Sequence, residues 1–158
     1  MRIEKVVVHR CDLPLVRPFR TSFFTEYTKD VLLVEITTDV GIGWGECVAA
    51  SDPLYSHEFN DAVMLVWRDH LVPRLMGREL TAEEVPDILG PVRGHPMARG
   101  ALELAVLDAQ LRASGQSFAS SLGSVHDRIP CGVSTGIPAD DSIDTLVAEV
   151  DGYVAEGY

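Results

Sequence analysis

The chain has 158 residues, 46% of them hydrophobic, and a formal net charge of -11. This is a globular composition, with chain enough for the core of one domain, or of one domain plus part of another. The acidity argues against nucleic acid and against an anionic membrane surface, both of which call for clustered Lys and Arg, and no stretch approaches the roughly 20 apolar residues of a membrane span.

Residues 2–13 are rich in β-branched side chains and end just before Pro14, which predicts a strand. Residues 14–28 show no clear period. With Pro14, Pro18, Phe19, Arg20, Phe23, Phe24 and Tyr27 they read as a long loop, a feature that in a compact domain is usually functional. From Val31 to Thr38 the pattern alternates, with Leu32, Val34 and Ile36 on one face and Glu35 and Thr37 on the other. Asp39-Val40-Gly41 makes a turn and Ile42 to Cys47 returns as a partner strand. A second irregular stretch runs from Val48 to Tyr55.

Four helices are predicted next. The first covers about Ser56 to Val72, with Glu58 and Asp61 near its positive end and a stripe of Phe59, Val63, Val66 and Trp67; Pro73 lies past its end. The second opens at Thr81 with Glu84 three residues on, a capping box, and Pro86 keeps it short or irregular. The third runs from about Pro96 to Ala113, with Ala101, Leu104, Ala105 and Leu111 inward, and closes near Gly115. A short fourth covers about Phe118 to Leu122. From Ile129 to Ile137 the pattern is that of a short strand ending in small residues. A helix from Asp140 to Glu156 follows, with Ile143, Leu146, Val147, Val150 and Val154 on one stripe and Gly157 as its cap. A strand followed by a helix is the unit of an α/β barrel, and one such unit is present.

Few motifs carry chemistry. Gly41-Ile42-Gly43-Trp44-Gly45-Glu46 has the glycines of a dinucleotide fingerprint, but a strand and not a helix follows, so it reads as a glycine-rich hairpin. Cys11, Cys47 and Cys131 include no C-x-x-C, which argues against a disulfide framework or zinc knuckle and fits a reduced cytoplasm. The five histidines lack metal-site spacing, and Glu83-Glu84 and Asp140-Asp141 read as favourable charges at helix starts. Asp108, among apolar neighbours, reads as a buried structural carboxylate. No nucleophile with a base is visible.

Several segments, in order, nonetheless resemble one family. They are Pro14-Leu15-Val16-Arg17-Pro18-Phe19-Arg20-Thr21-Ser22-Phe23, Gly43-Trp44-Gly45-Glu46-Cys47, Pro53-Leu54-Tyr55-Ser56 with Glu58, Asn60 and Asp61, Gly100-Ala101-Leu102-Glu103 through Asp108, and Pro130-Cys131-Gly132-Val133-Ser134 with Gly136-Ile137. Together they resemble the N-terminal part of the o-succinylbenzoate synthase/N-acylamino acid racemase family of the enolase superfamily.

The resemblance implies an α+β capping domain (a three-stranded antiparallel meander plus helices) over residues 1–127. Residues 128–158 would be the first β/α unit of an enolase-type TIM barrel. It also implies a reaction in which a base removes the proton α to a carboxylate while Mg²⁺ stabilises the enediolate, leading to dehydration, racemisation, or both. The expected partner is a small-molecule carboxylate, and the full-length enzyme is expected to be a cytoplasmic homo-oligomer. Carried over by position, Phe19, Phe23 and Tyr55 would wall the pocket for the acyl or side-chain group. Ala50 would shape the same wall, Arg20 would orient a carboxylate, and Ser134 would sit at a barrel-strand end. The Lys-x-Lys pair of the family and its metal carboxylates are expected beyond Tyr158, since lysine occurs only at Lys5 and Lys29. This chain is therefore expected to hold no catalytic residue and no metal ligand, and to be inactive alone. The competing expectations are a non-catalytic binding module and another muconate- or mandelate-type activity.

Overall fold

Strand alternation, two glycines and one long helix build the first half of the molecule. The computed structural model describes residues 1–158 apart from Phe23 and Asp127. Three strands, β1 (Ile3–Arg20), β2 (Thr25–Thr38) and β3 (Gly41–Cys47), form a sheet in the order β1-β2-β3. The β2–β3 hairpin is antiparallel, pairing Leu32 with Cys47, Val34 with Gly45 and Ile36 with Gly43 on one face, and Glu35 with Trp44 on the other. Leu32, Val34 and Ile36 are fully buried, so the predicted alternation is observed. Thr38 closes the turn: its hydroxyl donates to the Gly41 carbonyl at 2.8 Å and accepts from the Val40 and Gly41 amides. On the outward face, His9 stacks on Trp44 with ring centroids 5.3 Å apart and hydrogen-bonds Glu35 at 3.1 Å, linking all three strands.

The sheet departs from expectation at residues 14–28. They are not an irregular loop but the far end of β1 and the near end of β2, joined by a turn in which the Thr21 amide donates to the Phe24 carbonyl at 2.9 Å. The arm is exposed on both faces over most of its length, so no hydrophobic period marks it. Pro14 and Pro18 are four residues apart and point to the same side of β1. Because β1 is an edge strand, that side can be the open edge, where a missing N–H costs no ladder bond.

The helices are α1 (Asn60–Val66), α2 (Val72–Leu75), α3 (Val85–Leu89), α4 (Pro96–Ser114), α5 (Phe118–Ser121) and α6 (Ile143–Glu156). A π-helical turn, Trp67–Leu71, joins α1 to α2, and the Val72 amide reaches back five residues to the Trp67 carbonyl. Pro73 lies inside this run rather than past its end. Its ring cannot accommodate a regular turn before it, and the wider π turn relieves the clash. The capping box at Thr81 and Glu84 is present and opens a 3₁₀ turn, Ala82–Glu84, that leads into α3. Gly115 caps α4 in the left-handed region at φ 67°.

Helix α4 lies on β3 with almost no spacer. A Cβ built on Gly43 would fall on the Ala105 carbonyl oxygen and the Ala109 backbone, and one on Gly45 would fall on the Ala101 carbonyl oxygen. The buried side of α4 is Ala98, Ala101, Leu102, Ala105, Val106 and Ala109. Leu104, expected inward, is instead 47% exposed, because it projects from the side opposite this small-residue seam. Asp108 is half-buried rather than buried. It serves structurally, accepting the Trp44 amide at 2.9 Å and the Arg112 guanidinium at 2.8 Å.

The chain forms two compact units: Met1–Leu13 with Lys29–Ser124, and Pro14–Thr28 with Val125–Tyr158. In the second unit, residues 129–137 form no strand. A strand exists only with a ladder partner, and none is provided for this segment among the described residues. The helix that follows is α6, starting at Ile143 and not Asp140, with Ser142 accepting the Thr145 amide as its cap and Gly157 closing it at φ 100°. Its stripe is only partly covered: Leu146 is half-buried, while Ile143, Val147, Val150 and Val154 are exposed. Among the described residues no helix is long and apolar enough to cross a membrane.

The glycine seam gives a stability test. Gly43→Ala should lower stability by about 1–3 kcal/mol through overpacking, read as a fall in the urea midpoint. Gly100→Ala on α4, where an added Cβ meets nothing within 4 Å, should be neutral or stabilise by up to about 1 kcal/mol.

Candidate functional site

The hairpin arm and the segment leading into α6 line a cavity of about 1110 Å³ in the second unit. Leu15, Val16, Pro18 and Phe19 supply an apolar wall from β1. Ile137, Pro138, Ala139 and Ala148 supply another. Hydroxyls from Thr25, Tyr27, Ser134, Thr135 and Thr145 and the guanidiniums of Arg17 and Arg20 also line it. The mixture suits an amphipathic ligand whose anionic end meets an arginine.

Two ion pairs hold the cavity's sides together. Arg17 donates to Glu149 at 2.6 Å, and a second guanidinium nitrogen lies 3.5 Å from the Tyr153 hydroxyl. Arg20 pairs with Asp141 at 2.7 Å. Asp141 occupies the left-handed region at φ 55°, which Asp tolerates better than most residues. Asp140 accepts from the Thr145 hydroxyl at 2.7 Å and from the Ser142 amide at 3.1 Å. These bonds, that of Thr145 first, hold its carboxyl below the usual range. The planar Arg20 guanidinium carries five donors, a geometry suited to a carboxylate.

The structure thus brings Phe19, Arg20 and Ser134 to one cavity. Ala50 and Tyr55 belong to the first unit, on the loop between β3 and α1. Tyr55 is 77% exposed. Phe23 lies outside the described residues. Sequence reasoning missed Arg17, Thr145 and Glu149. The only marks they carry are charge or a hydroxyl, and 132 positions separate Arg17 from Glu149, so no local pattern could link them.

The loop between β3 and α1 is closed at its root. Ala50 and Phe59 form a parallel bridge, and the Asn60 amide donates to the Ala50 carbonyl at 2.8 Å. Glu58, expected to serve its own helix, is 1% exposed and instead receives the Met97 and Ala98 amides at the start of α4, both at 3.0 Å. A carboxylate bonded to two orphan amides at the positive end of a 19-residue helix is well compensated. Trp67 adds a bond from its indole N–H to the Ala98 carbonyl at 2.8 Å. Burial pushes the Cys47 thiol up, which suits a packing role rather than a nucleophilic one. Among the described residues no group of three or more His, Cys, Asp or Glu stands close enough to hold a metal ion. The Mg²⁺ implied by the resemblance therefore finds no set of three such ligands among the described residues.

A three-stranded meander backed by a long helix matches the N-terminal capping domain of enolase-superfamily proteins. Residues 3–123 match the mandelate racemase / muconate lactonizing enzyme N-terminal domain, and the chain belongs to that family. It is 50% identical to an N-succinylamino acid racemase from Amycolatopsis, over 100% of this chain and 43% of the relative. It is 35% identical to an o-succinylbenzoate synthase from Bacillus subtilis, over 100% of this chain and 42% of the relative. A crystal structure of an enolase-superfamily member from Listeria innocua superposes with a TM-score of 0.92 at 32% identity, over 100% of this chain and 43% of that one. The chain thus spans about two fifths of the length of the curated relatives it matches.

The electrostatics of the first unit predict a pH dependence. The Arg10 guanidinium beside Asp30 holds that carboxyl below its usual 3.8, with burial opposing and Asn60 assisting. A depressed folded value means the unfolded chain takes up the proton first. The stabilisation is therefore present above about pH 3.8 and lost as pH falls through the lower folded value. The urea midpoint should drop on acidification through this window, and Asp30→Asn should flatten that drop; an identical pH profile in the variant would refute the assignment.

Proposed function

We propose that this chain is the substrate-capping portion of an enzyme that abstracts the proton α to a carboxylate. The activity we assign is dehydration to o-succinylbenzoate, racemisation of N-acylamino acids, or both. The observation that carries this is the cavity joining Phe19, Arg20 and Ser134, with apolar walls for an acyl or side-chain group and a guanidinium for a carboxylate. The names of the relatives support the same reading.

In this reading the chain selects and orients substrate and shields it from water, while the proton-transfer groups and the ligands of the Mg²⁺ ion lie in residues outside these 158. The ion would supply charge stabilisation for the enediolate. Phe19 and Phe23 wall the acyl group, as do Ala50 and Tyr55 on the second loop. Arg20 orients a carboxylate, and Ser134 contributes a hydroxyl at the cavity. We propose a full-length homo-oligomer in the cytoplasm, acting on a small-molecule carboxylate.

The test uses the protein expressed from the uninterrupted coding sequence with Mg²⁺, given the synthase substrate and N-succinyl- and N-acetylmethionine in deuterated water. Product formation or α-deuterium incorporation is expected, and neither from the 158-residue chain alone. Failure of the full-length protein on all three substrates would overturn the reading. In the full-length protein Phe19→Ala should cost about 10- to 200-fold in kcat/KM, the value of an apolar wall contact, and the loss should depend on the acyl group. Equal losses for every substrate would indicate a folding defect.

A further inference from the structure

Asn60 is fully buried, yet it does not serve an apolar core. Its Nδ2 donates to the Asp30 carbonyl at 2.9 Å, while its own amide donates to the Ala50 carbonyl at 2.8 Å. Its Oδ1 has no partner among the described residues. A buried acceptor without a donor is costly, so an apolar residue of similar volume would be the better choice for packing alone. The position uses the donor.

The two carbonyls that Asn60 holds belong to two different roots. Asp30 lies where the β1–β2 hairpin re-enters the first unit, which the hairpin leaves at Leu13 and rejoins at Lys29. Ala50 lies at the root of the loop between β3 and α1. Asp30 is gripped a second time across the hairpin. Its carboxylate receives Arg10 in a two-point bond, at 2.9 and 2.7 Å, and Arg10 reaches on to Asp61 at 2.6 Å, next to Asn60. One residue on α1 therefore bonds both roots, the hairpin root through its side chain and the loop root through its backbone.

We propose that Asn60 is a positioning residue for substrate selection, coupling the root of the hairpin that carries Phe19 and Arg20 to the root of the loop that carries Ala50 and Tyr55. The proposal rests on the functional reading above. Loss of the Asn60 side-chain donor frees the hairpin root from a residue whose backbone still holds the loop root, and blurs the discrimination between acyl groups, with the reacting groups untouched.

The experiment uses the full-length protein with Asn60→Leu, which keeps the volume and removes the donor, and with Arg10→Met as a second variant at an exposed position. Hydrogen exchange is read at residues 14–28 and 48–59. Steady-state kinetics are read with N-succinyl- and N-acetylmethionine. Both variants should exchange faster at residues 14–28, with residues 48–59 unchanged because the backbone bond to Ala50 remains. For Asn60→Leu, KM for the N-succinyl substrate should rise about 3- to 10-fold, the value of one lost hydrogen bond, with kcat changed less than about 2-fold and the ratio of the two substrates altered. Unchanged exchange at residues 14–28, or an equal fall in kcat for both substrates, overturns the proposal. If the unaltered protein turns over neither substrate, the functional reading fails, and the exchange result still decides whether the Asn60 side chain holds the hairpin root.

Discussion

The backbone of α4 rests directly on the backbone of β3, and this contact sets the geometry of the first unit. It exists because Gly43 and Gly45 leave no Cβ on the inward side of the strand, opposite Ala101, Ala105 and Ala109. Interiors are close-packed, so a helix this near a sheet can be shifted only by moving neighbours as well. Once α4 is fixed in height and register, its amino-terminal end is fixed too, and that end organises the remaining polar groups.

Met97 and Ala98 begin α4 with unused amides that Glu58 accepts, and the Ala98 carbonyl takes the Trp67 indole. These bonds fasten α1 and the end of the preceding loop to a helix that is itself pressed on the sheet. Leu71, Leu75, Leu80, Val85 and Leu89, all 2% exposed or less, then fill the space between the turns and α4. The apolar core sets the stability, and a small number of buried polar bonds set which conformation the loop takes. Glu58 illustrates the division: a carboxylate in the interior is tolerated because every strong demand it makes is met by two aligned amides.

The second unit is organised by charge and edge pairing rather than by a core. The hairpin arm has little to bury, and Arg17 with Glu149 and Arg20 with Asp141 fasten it to the segment around α6. Exposed ion pairs contribute little free energy each and weaken with salt, so the arm is held less firmly than the core of the first unit. The stripe of α6 is mainly uncovered, and the matched relatives are more than twice as long as this chain.

Local signals in the sequence determined much of this. Alternation fixed the buried face of β2, Thr81 with Glu84 fixed a capping box, Gly115 and Gly157 fixed two helix ends, and Pro86 fixed a short helix. Such signals act within one turn or one strand pair, so they are legible without knowledge of the rest of the chain. The ordered run of family-like segments identified the fold and pointed to Phe19, Arg20 and Ser134. Only the tertiary structure decided that residues 14–20 and 25–28 extend the sheet, that residues 129–137 form no strand, that Leu104 faces outward, and that Glu58 caps α4. It also decided that Asn60 bonds both Asp30 and Ala50. Each of these depends on which distant group lies opposite. An extended segment becomes a strand, and a polar side chain becomes an anchor, only when the fold supplies a partner for its hydrogen bonds.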